Sequence, residues 1–242
     1  MSWTSSNPTI ATVNSAGKIT GVTSGTTTIT VTSAYYGKTA TCTVNVSEKH
    51  DGVQLWEDGP YWAICNVGAE SSSEMGLVFS WGNIQGITDR YKYEDDSYDT
   101  SRGAGLKSNI PAYYSFYDGA SSNWCKKWRM PTLDEFRTLI NADGSNKTVC
   151  TITASGLTIR GKGVYDKNTV FLPLFRSGTY TDEDDEVWMN HYGLYWTSSF
   201  YDGTSAYALS AGYSWTDYDD YPRYSCLTSE RSHYNAIRPV HD

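Results

Sequence analysis

The side chains of this sequence that are best suited to act on another molecule lie near its end. Between Tyr192 and Tyr234 the chain is dominated by tyrosine, serine, aspartate and threonine. Tyrosine brings a large rigid ring and a hydroxyl at low entropic cost, while small polar residues supply adaptable hydrogen bonds, as in antibody loops. The segment therefore predicts a surface that binds a ligand by contact.

We divide this segment into displayed residues and framework residues, the latter being buried positions that hold the strands. The residues that we expect to be displayed to a ligand are Tyr201, Asp202, Ser205, Tyr207, Ser210, Tyr213, Asp217, Tyr218, Asp219, Tyr221, Tyr224, Ser232, His233 and Tyr234. The residues that we expect to be framework are Ala206, Leu209, Ala211 and Ile237. A tyrosine-rich strand segment can also be a well-packed sheet edge, and this alternative stays open for each single tyrosine.

Signs of catalytic chemistry are weak. The sequence has no GxSxG, HExxH or phosphate-cradling glycine loop, and its four histidines are scattered. The acidic runs at 182–186 and 217–220 lack the spacing of an EF-hand, so we expect them to be solvated loops. We therefore predict no catalytic residue, no metal and no cofactor. A glycosidase with paired carboxylates stays open as an alternative among 27 acidic residues.

Composition and charge narrow the classes of partner. The net charge of -8 disfavours a nucleic-acid partner, which needs a basic stripe, and no apolar run is long enough to span a membrane. Residues 1–7 show neither the basic start nor the apolar core of a leader. The five cysteines contain no CxxC pair, which favours buried free thiols over a single disulfide.

The first 47 residues alternate as short antiparallel strands do. Ala40, Cys42, Val44 and Val46 share one face of a predicted strand, and residues 26–32 alternate in the same way before a turn at 34–38. Trp3-Thr-Ser-Ser-Asn-Pro8, Ile10-Ala-Thr-Val13 and Gly17-Lys-Ile-Thr-Gly21 resemble the group 2 bacterial immunoglobulin-like domain.

That resemblance implies an all-β sandwich, which usually takes about 100 residues. Residues 1–47 are therefore expected to be the later part of such a domain, with an unpaired sheet edge that something must cover. A polar linker is predicted at 48–52, and a second domain at 53–242.

The clearest helix of the second domain follows Thr132. Thr132 and Glu135 have the spacing of a capping box, and Leu133, Phe136, Leu139 and Ile140 form an apolar stripe that predicts core packing. Strands are predicted at 157–160, 170–174, 195–199, 206–211 and 236–240, and a long surface loop at 91–105.

Three segments of this second domain carry a resemblance. They are Trp62-Ala-Ile-Cys-Asn-Val-Gly-Ala69, Trp128-Arg-Met-Pro-Thr-Leu-Asp-Glu-Phe136, and Tyr195-Trp-Thr-Ser-Ser199 with Ile237-Arg-Pro-Val240. In this order they resemble the major paralogous domain of gut Bacteroidetes and the variable proteins of diversity-generating retroelements. The resemblance implies an α+β C-type lectin fold of the formylglycine-generating-enzyme subclass, with a variable region at about 192–240. The cysteine pair of that enzyme and the calcium-binding triplet of sugar-binding lectins are absent.

Retroelement variation leaves a signature in composition. An Asn codon AAY changed at its adenines cannot encode Lys, Glu, Gln, Met or Trp. Residues 1–196 hold 32 of these five types, so about six are expected in the 39 residues of 197–235, which hold two. Tyr, Ser, Asp, Thr and Asn fill 24 of those 39 positions.

Together these observations predict a non-enzymatic adhesion protein that displays a variable surface to a cell-surface protein or glycan. We expect it in a phage tail or fibre, which the lack of a visible leader favours, or on a bacterial surface. The alternatives are a non-variable surface protein of the same family and, third, a carbohydrate-active enzyme.

Overall fold

A computed structural model of the protein describes residues 1–22, 25–46, 50–88, 105–124, 127–181, 187–215 and 221–242. For residues 176–181, 187–191, 213–215 and 221–222 it describes the backbone only. The chain forms two compact units, Met1–Asp51 and Gly52–Asp242. The described residues are mostly β-strand, with two short α-helices in the second unit. None of the helices in these ranges is long and apolar enough to cross a membrane.

The described residues of the first unit form five strands. They are β1 (Ser2–Ser5), β2 (Ala11–Val13), β3 (Ile19–Gly21), β4 (Gly25–Thr32) and β5 (Thr39–Val46). One sheet has the order β1-β4-β5, and β2 pairs with β3 in a second, smaller sheet. Gly17 has φ +82°, and an added Cβ would lie 2.7 Å from the ring of Trp3, so this turn requires glycine.

The strands of the first unit alternate as predicted, but the predicted apolar face of β5 is only partly buried. Ile29 in β4 is buried, whereas its neighbour across the ladder, Cys42 in β5, is exposed, as is Ala40. Among the described residues β5 is the outermost strand of its sheet. The expectation that cysteines are buried is therefore wrong for Cys42. Cys65 is buried, and neither it nor Cys42 is in a disulfide, nor are the partly buried Cys150 and Cys226.

The second unit begins with short elements and ends with long strands. In chain order they are β6 (Gly52–Gln54), β7 (Tyr61–Ala63), β8 (Val78–Phe79), α1 (Gly119–Asn123), α2 (Leu133–Leu139), β9 (Thr148–Thr153), β10 (Gly156–Gly161), β11 (Thr169–Pro173), β12 (Arg176–Thr181), β13 (Val187–Phe200), β14 (Ser205–Trp215), β15 (Tyr221–Glu230), β16 (Asn235–Ala236) and β17 (Val240–His241), with a 3-10 turn at Gly163–Tyr165. The predicted loop at 91–105 and the acidic run at 182–186 lie almost wholly outside the described residues.

Helix α2 forms as its sequence predicts. The Thr132 side chain accepts a hydrogen bond from the backbone N–H of Glu135, and the Glu135 carboxylate accepts one from the backbone N–H of Thr132. Both bonds satisfy backbone donors that a helix start leaves unpaired. The predicted stripe, which includes Phe136 and Leu139, is buried in the core.

A six-stranded sheet organises the second unit. Its order is β15-β14-β13-β16-β8, with β12 also paired to β13. Successive residues of a strand point to opposite faces, and two buried clusters cover the two faces where β13 and β14 cross the core. The first cluster, which we call the helix-side core, includes Phe136, Tyr195 and Leu209; the second, which we call the loop-side core, includes Phe79 and Trp196.

The Thr-Ser-Ser motif of β13 is structural. The register of β13 against β14 shifts between Trp196 and Phe200, which marks a bulge. The hydroxyl of Thr197 donates to the backbone oxygen of Tyr207 at 2.7 Å, and the hydroxyl of Ser199 accepts from the N–H of Leu133 at 2.9 Å. The motif therefore joins β13 to its neighbouring strand and to the start of α2.

The closing segment differs from the single strand predicted at 236–240. It forms the two-residue strands β16 and β17, separated by Arg238, whose side chain is fully buried. The guanidinium donates to the backbone oxygens of Ala63, at 3.0 Å, and Phe171, at 2.7 Å. Two backbone carbonyls on different strands thus accept from the two terminal nitrogens of Arg238, which ties β7 to β11.

Candidate ligand-binding face

The register of β13, β14 and β15 arranges their side chains in rows across the sheet. Leu194 pairs with Ser210, which pairs with Ser225, and Tyr192 pairs with Gly212, which pairs with Arg223. Directly paired residues lie on the same face of a sheet. These residues share the face of Trp196, which is the loop-side face.

Beyond Trp196 the loop-side core stops and this face is uncovered among the described residues. Trp196 and Ala208 are fully buried, whereas their row ends in Leu227, whose side chain is 37% exposed. We call the uncovered set the open face. It consists of Tyr192, Leu194, Ser210, Gly212, Arg223, Ser225 and Leu227, all of which are partly or fully exposed.

The open face has a low floor and higher sides. Its central positions are the small residues Ser210, Gly212 and Ser225, while larger side chains flank them on β13 and at Leu227. A floor of this kind admits a ligand group close to the sheet, with hydroxyls able to donate and accept hydrogen bonds. The large side chains at its border supply apolar contact area.

A second group of display residues lies at the turn between β13 and β14. The rings of Tyr201 and Tyr207 meet edge to face with centroids 5.3 Å apart, and Tyr201 is 51% exposed. The carboxylate of Asp202 accepts from the backbone N–H groups of Thr204 and Ser205, and these bonds lower its pKa. Asp202 is exposed, but its oxygens shape the turn and are only in part available to a ligand.

The Arg231 side chain connects this turn to the loop around Leu106. Its guanidinium carbon lies 4.6 Å from the ring centroid of Trp81 and 4.8 Å from that of Phe200. One nitrogen donates to the backbone oxygen of Leu106 at 2.8 Å, and another approaches the oxygen of Gly203 at 3.4 Å. A planar guanidinium stacked between aromatic rings holds the turn against the preceding loop.

The loop that covers the loop-side core also carries exposed aromatic rings. Tyr117 packs against that core, and its ring meets Phe116 edge to face with centroids 4.8 Å apart. Phe116 and Tyr114 are both about half exposed. These rings belong to the loop that packs on the loop-side face of the sheet through Tyr117.

Three display candidates point to the other side of the sheet. Ser205, Tyr207 and Tyr224 share the face of Leu209, which α2 covers. Tyr224 is partly buried and packs, like Cys150, against the helix-side core. Burial and that neighbour raise the pKa of Tyr224. Of the display candidates on strands with described side chains, Ser210 alone lies on the open face.

The candidates after β15 lie in a turn and in the core. Ser232 and His233 are partly exposed, and the His233 ring is 3.3 Å from the hydroxyl of Ser229. Tyr234 is only 9% exposed and packs in the helix-side core, so the structure places it with the framework and not with the displayed residues. Asp217, Tyr218 and Asp219 lie outside the described residues, and the side chains of Tyr213 and Tyr221 are not described.

The framework predictions are confirmed. Ala206, Leu209, Ala211 and Ile237 are each at most 1% exposed. The open face adds residues that the display prediction missed, namely Tyr192, Leu194, Gly212, Arg223, Ser225 and Leu227. The signal that could have found them is the alternation of strands starting from Trp196, because its buried face continues as the open face two residues away.

The described residues contain no group of three or more His, Cys, Asp and Glu side chains that could hold a metal ion. Two histidines serve other purposes. The ring of His241 stacks on Tyr61 with centroids 4.8 Å apart and meets Trp128 edge on, and His233 lies beside Ser229.

Comparison with known proteins identifies one part of the chain. The family model of the bacterial Ig-like domain (group 2) matches residues 1–44, which confirms the immunoglobulin-like prediction for the first unit. No curated protein and no solved structure matches the chain. An immunoglobulin-like domain of this bacterial group is consistent with an extracellular or surface protein.

Proposed function

We propose that this chain is a non-enzymatic adhesion protein whose second unit binds a cell-surface protein or glycan through the open face and the adjoining turn at 201–204. One observation carries the proposal. The open face continues directly from a fully buried part of the same strands, so a low floor of Ser210, Gly212 and Ser225 stands on a rigid base. A surface held rigidly before binding loses little conformational entropy when the ligand docks.

The proposal extends to the fold and to the origin of the surface. The fold is proposed to be a C-type lectin fold of the type found in diversity-generating retroelement proteins. Its support is that the segments carrying the resemblance meet in space: Ser198 N–H donates to the Pro131 oxygen at 2.7 Å, and Val67 N–H donates to the Ile237 oxygen at 3.0 Å. The shortage of Lys, Glu, Gln, Met and Trp in residues 197–235 supports adenine-directed variation.

This origin fits the division of roles within the strands. The buried residues of β13 and β14 include the Tyr-Trp-Thr-Ser-Ser motif and three alanines. The partly exposed ones with described side chains are Tyr192, Leu194, Phe200, Ser205, Tyr207, Ser210 and Gly212. Changes at exposed positions alter contacts with a ligand and cost little stability, because surface substitutions usually change stability by less than about 0.5 kcal/mol. The setting is proposed to be a phage tail or fibre, or a bacterial surface.

The experiment compares two substitutions that both lie away from the outer strand β15. Ser210→Arg fills the floor of the open face on β14, while Thr151→Arg places the same side chain at an exposed position of β9 outside the open face. The labelled wild-type protein is screened against immobilised bacterial cells, their envelope proteins and a glycan panel. We expect Ser210→Arg to abolish retention on the probe that the wild type binds and Thr151→Arg to leave it within about twofold. Equal retention by both variants contradicts the assignment of the open face, and turnover of a glycan by the wild type contradicts a purely binding role.

A further inference from the structure

The outer strand of the large sheet presents an unpaired edge. β15 is the last strand in the sheet order, and among the described residues no strand pairs with its outer side. Its ladder with β14 runs from Tyr221 to Glu230 without a register shift, so the backbone of β15 is regular along its length. An edge of this kind exposes a row of N–H and C=O groups that only another extended backbone can satisfy together.

The middle of this edge lacks the features that usually prevent pairing. Natural edge strands carry charged side chains, proline, a bulge or an inward-pointing charge. Pro222 and Arg223 stand at the start of β15 and Glu230 at its end, but the six residues from Tyr224 to Ser229 contain no charge, no proline and no bulge. Leu227 stands near the middle of this stretch with 37% of its side chain exposed.

We propose that two copies of this chain associate through β15, as antiparallel neighbours in one continuous sheet, with the two-fold axis at Leu227. In that register Leu227 faces Leu227 of the second copy. Tyr224 faces Glu230 of the second copy, and Ser225 faces Ser229. This inference concerns the backbone edge of β15 and does not depend on the proposed function, although Ser225 and Leu227 belong both to the open face and to the proposed seam.

The side chains favour this occupant and this register. Two exposed leucines bury each other at the axis, and no like charges stand directly opposite between Tyr224 and Glu230. Arg223 comes opposite Arg231, which lies beyond the end of β15 and whose side chain is buried in its own copy. Moving the axis to Cys226 pairs Pro222 with Glu230 of the second copy, where proline has no N–H to donate. It also puts at the axis the side chain of Cys226, which packs towards the helix-side core.

The pairing has a geometric consequence for the open face. A two-fold axis between antiparallel strands stands perpendicular to the sheet, so both open faces point the same way. Two copies then present two adjacent binding surfaces, and simultaneous engagement raises avidity without any new ligand contact.

The oligomeric state of the full chain is the first test. One strand pair makes a small interface, so sedimentation equilibrium is measured from about 1 μM to about 1 mM. We expect a monomer–dimer equilibrium that Leu227→Lys shifts to monomer by at least about tenfold in dissociation constant. Ser210→Lys, on the same face but on the inner strand β14, is expected to leave the dimer intact. A wild-type chain that stays monomeric throughout overturns the proposal, as does a dimer that Leu227→Lys leaves unchanged.

Disulfide cross-linking tests the register. In a Cys42→Ser background, Leu227→Cys is expected to form a covalent dimer under mild oxidation, because directly opposed Cβ atoms lie at about 4.5–5.5 Å, close to the separation that a disulfide needs. Ser225→Cys is the matched control, since position 225 of the second copy stands four residues away. The native Cys226 contributes little background, because burial raises its pKa to about 11 and keeps it protonated. Equal cross-linking by both variants contradicts the axis at Leu227.

Discussion

Tyr195 and Trp196 are neighbours in the chain, yet they lie in two different cores on opposite faces of the central sheet. The hydroxyl of Tyr195 donates to the backbone oxygen of Pro173, and the indole N–H of Trp196 donates to that of Phe79, both at 2.6 Å. Both faces of β13 are therefore anchored at this level. The open face begins at Leu194, which is the next residue of β13 on the same face as Trp196. Tyr195 and Trp196 therefore form the base of the proposed binding surface.

Removing the Trp196 side chain should destabilise the second unit severely. Trp196→Ala leaves a large cavity in the loop-side core and leaves the Phe79 oxygen without its donor, so we expect a loss of about 3–5 kcal/mol in the free energy of unfolding. Chemical denaturation measures it. Tyr201→Ser is the contrast, since this ring is half exposed, and its loss is expected to be about 1 kcal/mol or less. Similar losses for both variants mean that Tyr201 is core and not a displayed residue.

Replacing one carboxylate oxygen of the buried Asp118 should also lower the free energy of unfolding. It accepts from the N–H groups of Ala120 and Ser121 at the start of α1 and from that of Met130, and burial raises its pKa. In Asp118→Asn the amide nitrogen faces one of these donors, so we expect a cost of about 1–3 kcal/mol in thermal or denaturant unfolding.

A matched change on α2 provides the control for Asp118. Asp134 is a highly exposed carboxylate that pairs only with Arg137 at 3.3 Å. Asp134→Asn is expected to change stability by less than about 0.5 kcal/mol. If Asp118→Asn is as harmless as this control, the three hydrogen bonds to Asp118 do not hold α1 against the 128–130 segment.

Thiol labelling should distinguish the cysteines of the folded chain. Of the four cysteines that the structure describes, Cys42 is exposed and is expected to react first with a thiol reagent at neutral pH, whereas Cys65 is buried and is expected to react only on unfolding. Cys150 and Cys226 should be slow because burial raises the pKa of both thiols. Peptide mapping by mass spectrometry follows each site over time. Rapid labelling of Cys65 would show that the segment around β7 is open in solution.

The ion pair between Arg129 and Asp242 should add a small amount to the stability of the fold, and this amount should be lost at acid pH. The Arg129 guanidinium donates to Asp242 at 2.6 Å and, with the Tyr113 hydroxyl, lowers the pKa of that carboxyl. A lowered folded-state pKa stabilises the fold above the unfolded value of about 3.9, and this contribution is lost as pH falls through the folded value. Asp242 is 69% exposed, so solvent screening keeps the contribution to at most about 1 kcal/mol.

Asp242→Asn tests this directly. The difference in unfolding free energy between wild type and variant is expected to be constant above about pH 5 and to shrink below about pH 4. Denaturant midpoints across that range measure it. A difference that grows as the pH falls would mean that the carboxyl is not stabilised by Arg129 in the folded protein.

Sequence patterns predict those elements of the second unit whose stabilising contacts come from residues close by in the chain. The capping box at Thr132, the stripe containing Phe136 and the framework alanines of β14 all follow from spacing within a few residues. In the first unit, the immunoglobulin-like strands follow from alternation and turn residues.

The faces of the sheet could not be predicted in the same way. Whether Tyr224 or Ser225 is exposed depends on what covers each side, and α2 lies nearly 90 residues earlier in the chain. The bulge after Trp196 changes the alternation between β13 and its turn, and the hydroxyls within it bond to backbone groups that are distant in the chain. The expectation that Tyr234 is displayed fails for the same reason, because its ring packs in a core that is assembled from segments distant in the chain.

The central claim is that a fixed framework displays a varied face, and sequencing of the gene's 3′ end with its flanking DNA tests it most directly. The account predicts a nearby near-copy of the last hundred or so bases beside a reverse transcriptase gene, differing at adenines. Between gene copies, the differences should fall in codons of exposed residues such as Tyr201, Ser210 and Ser225, and should spare those of Trp196, Ala208 and Leu209. Absence of any such repeat, or differences concentrated in the framework codons, would contradict it.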